Sequence, residues 1–206
     1  MTRSTRTLRY ALTLGALLAA LLPVRASAQA PTPTWRLEPT VGALIDEYDA
    51  GDDGSRTGTL VGLEVSRAIA GPLRGVASLG YARVGDVAIH PLGGGERHVL
   101  GNEWVFAAIG PELDVPVSRA TLSLAFQAGA AWRRMPVTGS VGNPAPDPWI
   151  ERDDFSARSM VVPGASLRYP LGNRIAVSAG ARAYVMSPLE SARISPAFSV
   201  GVAFVR

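Results

Sequence analysis

The sequence predicts an all-β chain, eight antiparallel strands wound up and down into a closed barrel behind a cleavable leader. Three observations predict it. Eight segments alternate apolar with small or polar residues at period two. Tight turns and long polar loops alternate between those segments, and the first 28 residues have the layout of an export signal.

The leader comes first. Arg3, Arg6 and Arg9 form a cationic start, Tyr10–Leu22 is an apolar run, and Ala26-Ser27-Ala28 supplies a small-x-small cleavage site. The run is shorter than the roughly 20 apolar residues of a membrane helix, which weighs against an uncleaved anchor. Residues 1–28 are therefore expected to be a signal peptide, and 29–206 a single domain. Removing Arg3, Arg6, Arg9 and Arg25 takes four of the 20 basic residues, all arginine, while the 17 acids remain, so the mature charge becomes −1. The basic balance of the whole chain thus resides in the leader and gives no support to nucleic-acid binding. Cysteine is absent, which excludes disulfides, thiolate metal sites, a thiol nucleophile and a lipid-anchoring cysteine.

The strands follow in order. Trp35–Glu47 enters, and Thr57–Ile69 returns with Val61, Leu63, Val65 and Ile69 on one face. After the turn Ala70-Gly71-Pro72 comes Leu73–Gly85, then Trp104–Val117 with Val105, Ala107, Ile109, Leu113 and Val115 on its apolar face. Ser118-Arg119-Ala120 turns into Thr121–Val137, whose apolar face reads Leu122, Leu124, Phe126, Ala128, Ala130 and Trp132. Arg158–Leu171 and Ile175–Ser187 flank the turn Gly172-Asn173, and Ile194–Val205 closes with Phe198, Val200, Val202 and Phe204. The links Tyr48–Arg56, Asp86–Glu103, Thr138–Ala157 and Pro188–Arg193 are longer, so every short turn falls at one end and every long loop at the other. Gly80, Gly129 and Gly180, each soon followed by Tyr81, Trp132 or Tyr184, mark a weak hairpin repeat. Pro39 and Pro111 interrupt strands of a barrel that has no edge, so each is expected at a bulge or a rim.

Alternation alone does not say which face looks inward. The faces opposite the apolar stripes are small and Gly-rich, which suits the narrow lumen of about eight strands better than a surface in water. Glu38, Glu64, Glu112, Asp114, Arg133, Arg168 and Arg182 all fall on that small face. On the apolar face Arg67 and Arg83 are the notable exceptions, both near strand ends where long side chains reach a headgroup region. A basic residue facing lipid at mid-membrane costs roughly 2–4 kcal/mol, so this exclusion is what a bilayer enforces. Trp35, Tyr169 and Phe204 would line the short-turn rim and Trp132 the long-loop rim, as interfacial aromatics do. The fold class expected is a transmembrane β-barrel; a secreted β-sandwich is the alternative.

Leader, eight strands, unequal loops and the final Phe198-x-Val200-x-Val202-x-Phe204 strand resemble the small bacterial outer-membrane barrels of the OmpA/OmpX/OmpW type. The resemblance covers the mature chain and is architectural. It implies integral outer-membrane localisation, outer-membrane lipid as partner, and insertion by the barrel-assembly machinery. Members usually finish on an aromatic residue, whereas this chain continues past Phe204 to Val205-Arg206.

The lumen charges are read as a salt-bridged plug rather than a water-filled pore, because paired buried charges offset each other's desolvation. The acidic first loop, Asp46-Glu47-Tyr48-Asp49-Ala50-Gly51-Asp52-Asp53-Gly54, and the third, with Asp147, Glu151, Asp153 and Asp154 beside Trp149, could bind a divalent cation. The spacing of the first fits no EF-hand, and turn chemistry is the expected reading. His90 and His98, both assigned to the second long loop near Asp86, Glu96 and Glu103, are expected to be surface residues. Ser55, Ser140, Ser156 and Ser159 form no recognisable nucleophile motif, and Gly93-Gly94-Gly95 is no phosphate loop. The sequence therefore predicts a monomeric, non-enzymatic barrel with no cofactor, no metal site and no catalytic residues, in a structural or surface-interaction role. A narrow pore for small molecules is the second reading, and a lipid hydrolase at the rim the third.

Overall fold

The computed structural model describes residues 35–47, 55–89, 97–134, 137–141, 156–189 and 192–206. The leader and most of the long loops, with His90 and the acidic residues 49–54 and 147–154, lie outside the described residues. Nine strands are described: β1 (Trp35–Glu47), β2 (Ser55–Ala70), β3 (Leu73–Ile89), β4 (Arg97–Val117), β5 (Ala120–Arg134), β6 (Val137–Val141), β7 (Ser156–Pro170), β8 (Ile175–Met186) and β9 (Arg193–Val205). Each neighbouring pair is antiparallel. β1 pairs with both β2 and β9, and β3 with β4, so eight strands close into a ring. Among the described residues β6 stands outside the ring and pairs only with residues 97–100 of β4.

The second hairpin is longer than the sequence suggested. β3 continues past Gly85 to Ile89, and β4 begins at Arg97, with Val87, Ala88 and Ile89 opposite Leu100, Val99 and His98. A register shift between Val84 and Val87 conceals this extension, because a shifted register breaks the period-two pattern. His98 is thus a strand residue, not a loop residue. At the other end the turns are tight, and Gly71 adopts the left-handed φ of 52° that a side chain disfavours.

The prolines are accommodated differently from expectation. Pro39 faces Leu63 on one side, while on the other the pairing skips from Leu37–Phe204 to Thr40–Gly201 in an unchanged register. Pro111 does the same between Ile109–Ala128 and Glu112–Ala125, and Pro163 between Val161–Val185 and Gly164–Arg182. All three face outward. Each missing N–H therefore costs one rung of the ladder, and neither bulge nor rim is needed.

Going round the wall from Leu44 leads through Ala197, Arg182, Gly164, Ala125, Glu112 and Arg74 to Ala68, next to the Arg67 that pairs with Trp35. The circuit returns to β1 about ten residues lower, the stagger that tilts the strands of a closed barrel. Alternation then sorts the side chains. Ile109 is 70% exposed, Val200 58% and Phe198 57%, whereas Glu38 and Glu112 are 2% exposed. The apolar stripes look out and the charges look in, the inverse of a soluble sandwich.

Candidate functional site

The lumen is filled in layers. Near the short turns, β1 turns Arg36 and Glu38 inward, β3 Arg74, β4 Glu112 and Asp114, and β7 Arg168. Three guanidiniums thus meet three carboxylates. Arg168 Nε donates to Glu38 Oε2 at 2.7 Å and its Nη2 to Glu112 Oε2 at 3.3 Å. Arg36 donates to Asp114 Oδ2 at 3.2 Å and to Glu112 Oε1, and approaches Glu38 at 3.7 Å. Arg74 Nε donates to Ser66 Oγ at 3.1 Å and lies 3.9 Å from Asp114. The Ser123 hydroxyl joins Arg168 to Asp114. Five of the six charged residues are under 10% exposed, and Asp114 is 14% exposed at its side chain. A balanced, multiply bonded set is the arrangement in which buried charges offset one another's desolvation.

A second layer holds Arg182 against Glu64, with the Ser78 hydroxyl donating to Gln127 at 2.6 Å nearby. Gly164 makes room here, because a Cβ at that position would lie 2.8 Å from Arg182 Cγ. The cavity beside this pair measures about 10 Å³, enough for about one water.

Toward the long loops the filling becomes apolar. Leu44, Leu60, Val84, Phe106, Met160 and Met186 are buried there. Phe106 lies between two other rings, 4.4 Å from Tyr184 and 6.1 Å from Trp104 between centroids. Above them, Asp46 accepts hydrogen bonds from Asn102 at 3.2 Å, Trp104 Nε1 at 3.3 Å and Ser195 at 3.1 Å. Arg133 donates to Asn102 at 2.9 Å, and its guanidinium lies 5.4 Å from the Trp104 ring centroid.

Of the seven residues assigned to the lumen from sequence, Glu38, Glu112, Asp114 and Arg168 meet in one cluster. Glu64 and Arg182 form a separate pair, and Arg133 joins the upper cap. Sequence reasoning missed Arg36 and Arg74, and counted Asp46, inside the predicted first strand, with the acidic loop as well, although its side chain is buried. Parity alone could have found all three: Arg36 and Asp46 share the inward phase of Glu38, and Arg74 that of Ser78. The apolar layer was missed because Trp104, Phe106 and their outward neighbours make both faces of β4 apolar, which removes the contrast.

On the outer wall, Trp35, Tyr169 and Phe204 stand exposed at the short-turn end, with Arg67 5.2 Å from the Trp35 ring centroid. Trp132, opposite Val105, is half-buried near the long-loop end. The backbone register sets His98 opposite Ser140. Among the described residues no group of three or more His, Cys, Asp or Glu side chains could hold a metal ion. The arrangement can seal a bilayer-spanning wall and block passage through it.

Comparison with solved structures identifies the architecture. Neisserial surface protein A is 13% identical over 84% of this chain and 97% of its own, with a TM-score of 0.59. Ail of Yersinia pestis is 10% identical over 84% and 98%, with a TM-score of 0.52. OprG of Pseudomonas aeruginosa is 9% identical over 84% and 96%, with a TM-score of 0.50. The fold is that of small outer-membrane β-barrels. A scan of protein-family models and a search of curated proteins each find no match.

Proposed function

We propose that the chain is a monomeric integral outer-membrane barrel whose lumen is closed, and that it serves envelope structure or surface interaction through its long loops. The single observation that carries this reading is the double seal. A neutral cluster of three arginines and three carboxylates closes the short-turn half, and an apolar aromatic layer closes the long-loop half. A water column would have to break both at once. Outer-membrane lipid and the barrel-assembly machinery are the partners this reading requires, and a divalent cation at the acidic loops is a further candidate. Planar-bilayer recording of the purified protein tests the seal: no stable open level is expected, and a steady ohmic conductance would overturn it in favour of a pore.

A further inference from the structure

The outer wall carries a feature that a uniform lipid-facing surface does not need. Across β2 to β5, Ala77, Ala107 and Ala128 form the floor of an apolar groove of about 440 Å³, bordered by Leu63, Leu79 and Ile109. Leu79 and Ile109 stand 61% and 70% exposed, so the borders project well beyond the floor. Following the same strands toward the long loops, the outward positions become Tyr81, Val105 and Trp132, and then Arg83, Glu103 and Arg134. These last three are successive register partners on β3, β4 and β5. Both arginines make interactions of their own, and the Tyr81 hydroxyl bonds to Glu103 within their field. Two guanidiniums against one carboxylate still leave the trio one positive charge in excess.

We propose that this face binds one lipid with a net anionic phosphate headgroup in the leaflet beside the long loops, its headgroup on Arg83 and Arg134 and an acyl chain in the alanine-floored groove. The inference rests on the reading of the wall as lipid-facing. Charge complementarity selects the occupant: a groove that takes a chain lies in line with a cationic rim that takes an anion. Guanidinium and phosphate oxygens match in geometry, and aromatic residues occupy the level between them.

The test is native mass spectrometry of the detergent-solubilised mature protein with dioleoylphosphatidic acid or dioleoylphosphatidylcholine. The protein should retain one phosphatidic acid with at least about a tenfold preference, the effect of roughly one charge-assisted bond. Arg83→Gln with Arg134→Gln should bring the preference close to unity. Ala107→Phe, which fills the groove, should weaken retention while keeping the preference, and inorganic phosphate should not displace the lipid. Mobility of unboiled samples on gels verifies that each variant is folded. Equal retention of the two lipids, a preference unchanged in the double variant, or displacement by inorganic phosphate would overturn the proposal and leave the barrel intact. A chain that stays monodisperse without detergent would instead remove the lipid-facing wall, and this site with it.

Discussion

Replacing Arg168 with methionine probes the charged layer most sharply. Arg168 is 4% exposed and bonds to Glu38 and Glu112 at 2.7 and 3.3 Å, to Ser123, and lies 3.7 Å from Asp114. Without it, three carboxylates face only Arg36 and Arg74, and one buried negative charge is left uncompensated. Removing one partner of a buried ion pair costs about 3–5 kcal/mol, mostly through the charge left behind. Arg168→Met should lower the unfolding free energy by that amount in urea titrations of the micelle-embedded protein, followed by tryptophan fluorescence and by unboiled-gel mobility. Adding Glu38→Gln restores neutrality and should recover at least about 1 kcal/mol, a coupling typical of contacting residues. A loss under about 1 kcal/mol for Arg168→Met, or two strictly additive substitutions, would refute the claim that these groups neutralise one another in a sealed interior.

Four further substitutions test the packing. Val200→Arg places a cation on the lipid side of the wall, opposite Val41 and Ala179, and should cost about 2–4 kcal/mol in folding titrations into lipid vesicles. Gly129→Ala should prevent folding, read as loss of the mobility difference between boiled and unboiled samples, because the added Cβ would fall on the Ala107 carbonyl. Gly85→Ala meets nothing within 4 Å and should fold normally. Phe106→Ala removes the ring between Tyr184 and Trp104 and should destabilise by about 3–5 kcal/mol. It should not create conductance in planar bilayers, because the charged layer beneath remains closed.

The wall was legible in the sequence where its two faces differ in kind. The last strand shows this: Phe198, Val200, Val202 and Phe204 against Ser199, Gly201 and Ala203 gives a contrast that survives without any structure. Where the faces converge, the pattern fails. The upper part of β4 is apolar on both sides, so the aromatic layer was invisible, and the register shift near Gly85 hid the extension that carries His98. Prolines misled in a different way, since one-dimensional rules forbid them in closed sheets, whereas a single absent rung at Pro39, Pro111 or Pro163 leaves the register intact. The composition of the lumen cluster was largely readable from parity, but its pairing was not. Strand tilt brings Arg168 of β7 to Glu38 of β1, and that depends on a stagger built up around the whole circuit.

The absence of cysteine permits the decisive measurement, because single labelling sites can be introduced without background. Spin labels at Phe198→Cys, Val200→Cys and Val202→Cys in lipid vesicles should collide freely with oxygen, which concentrates in acyl chains, and scarcely with a water-soluble nickel chelate. Labels at Ala197→Cys and Ser199→Cys should be shielded from both. Nickel accessibility at Val200 equal to that of a residue in water, or the same response on both faces of β9, would contradict a barrel that shows its apolar stripes to lipid and closes its interior.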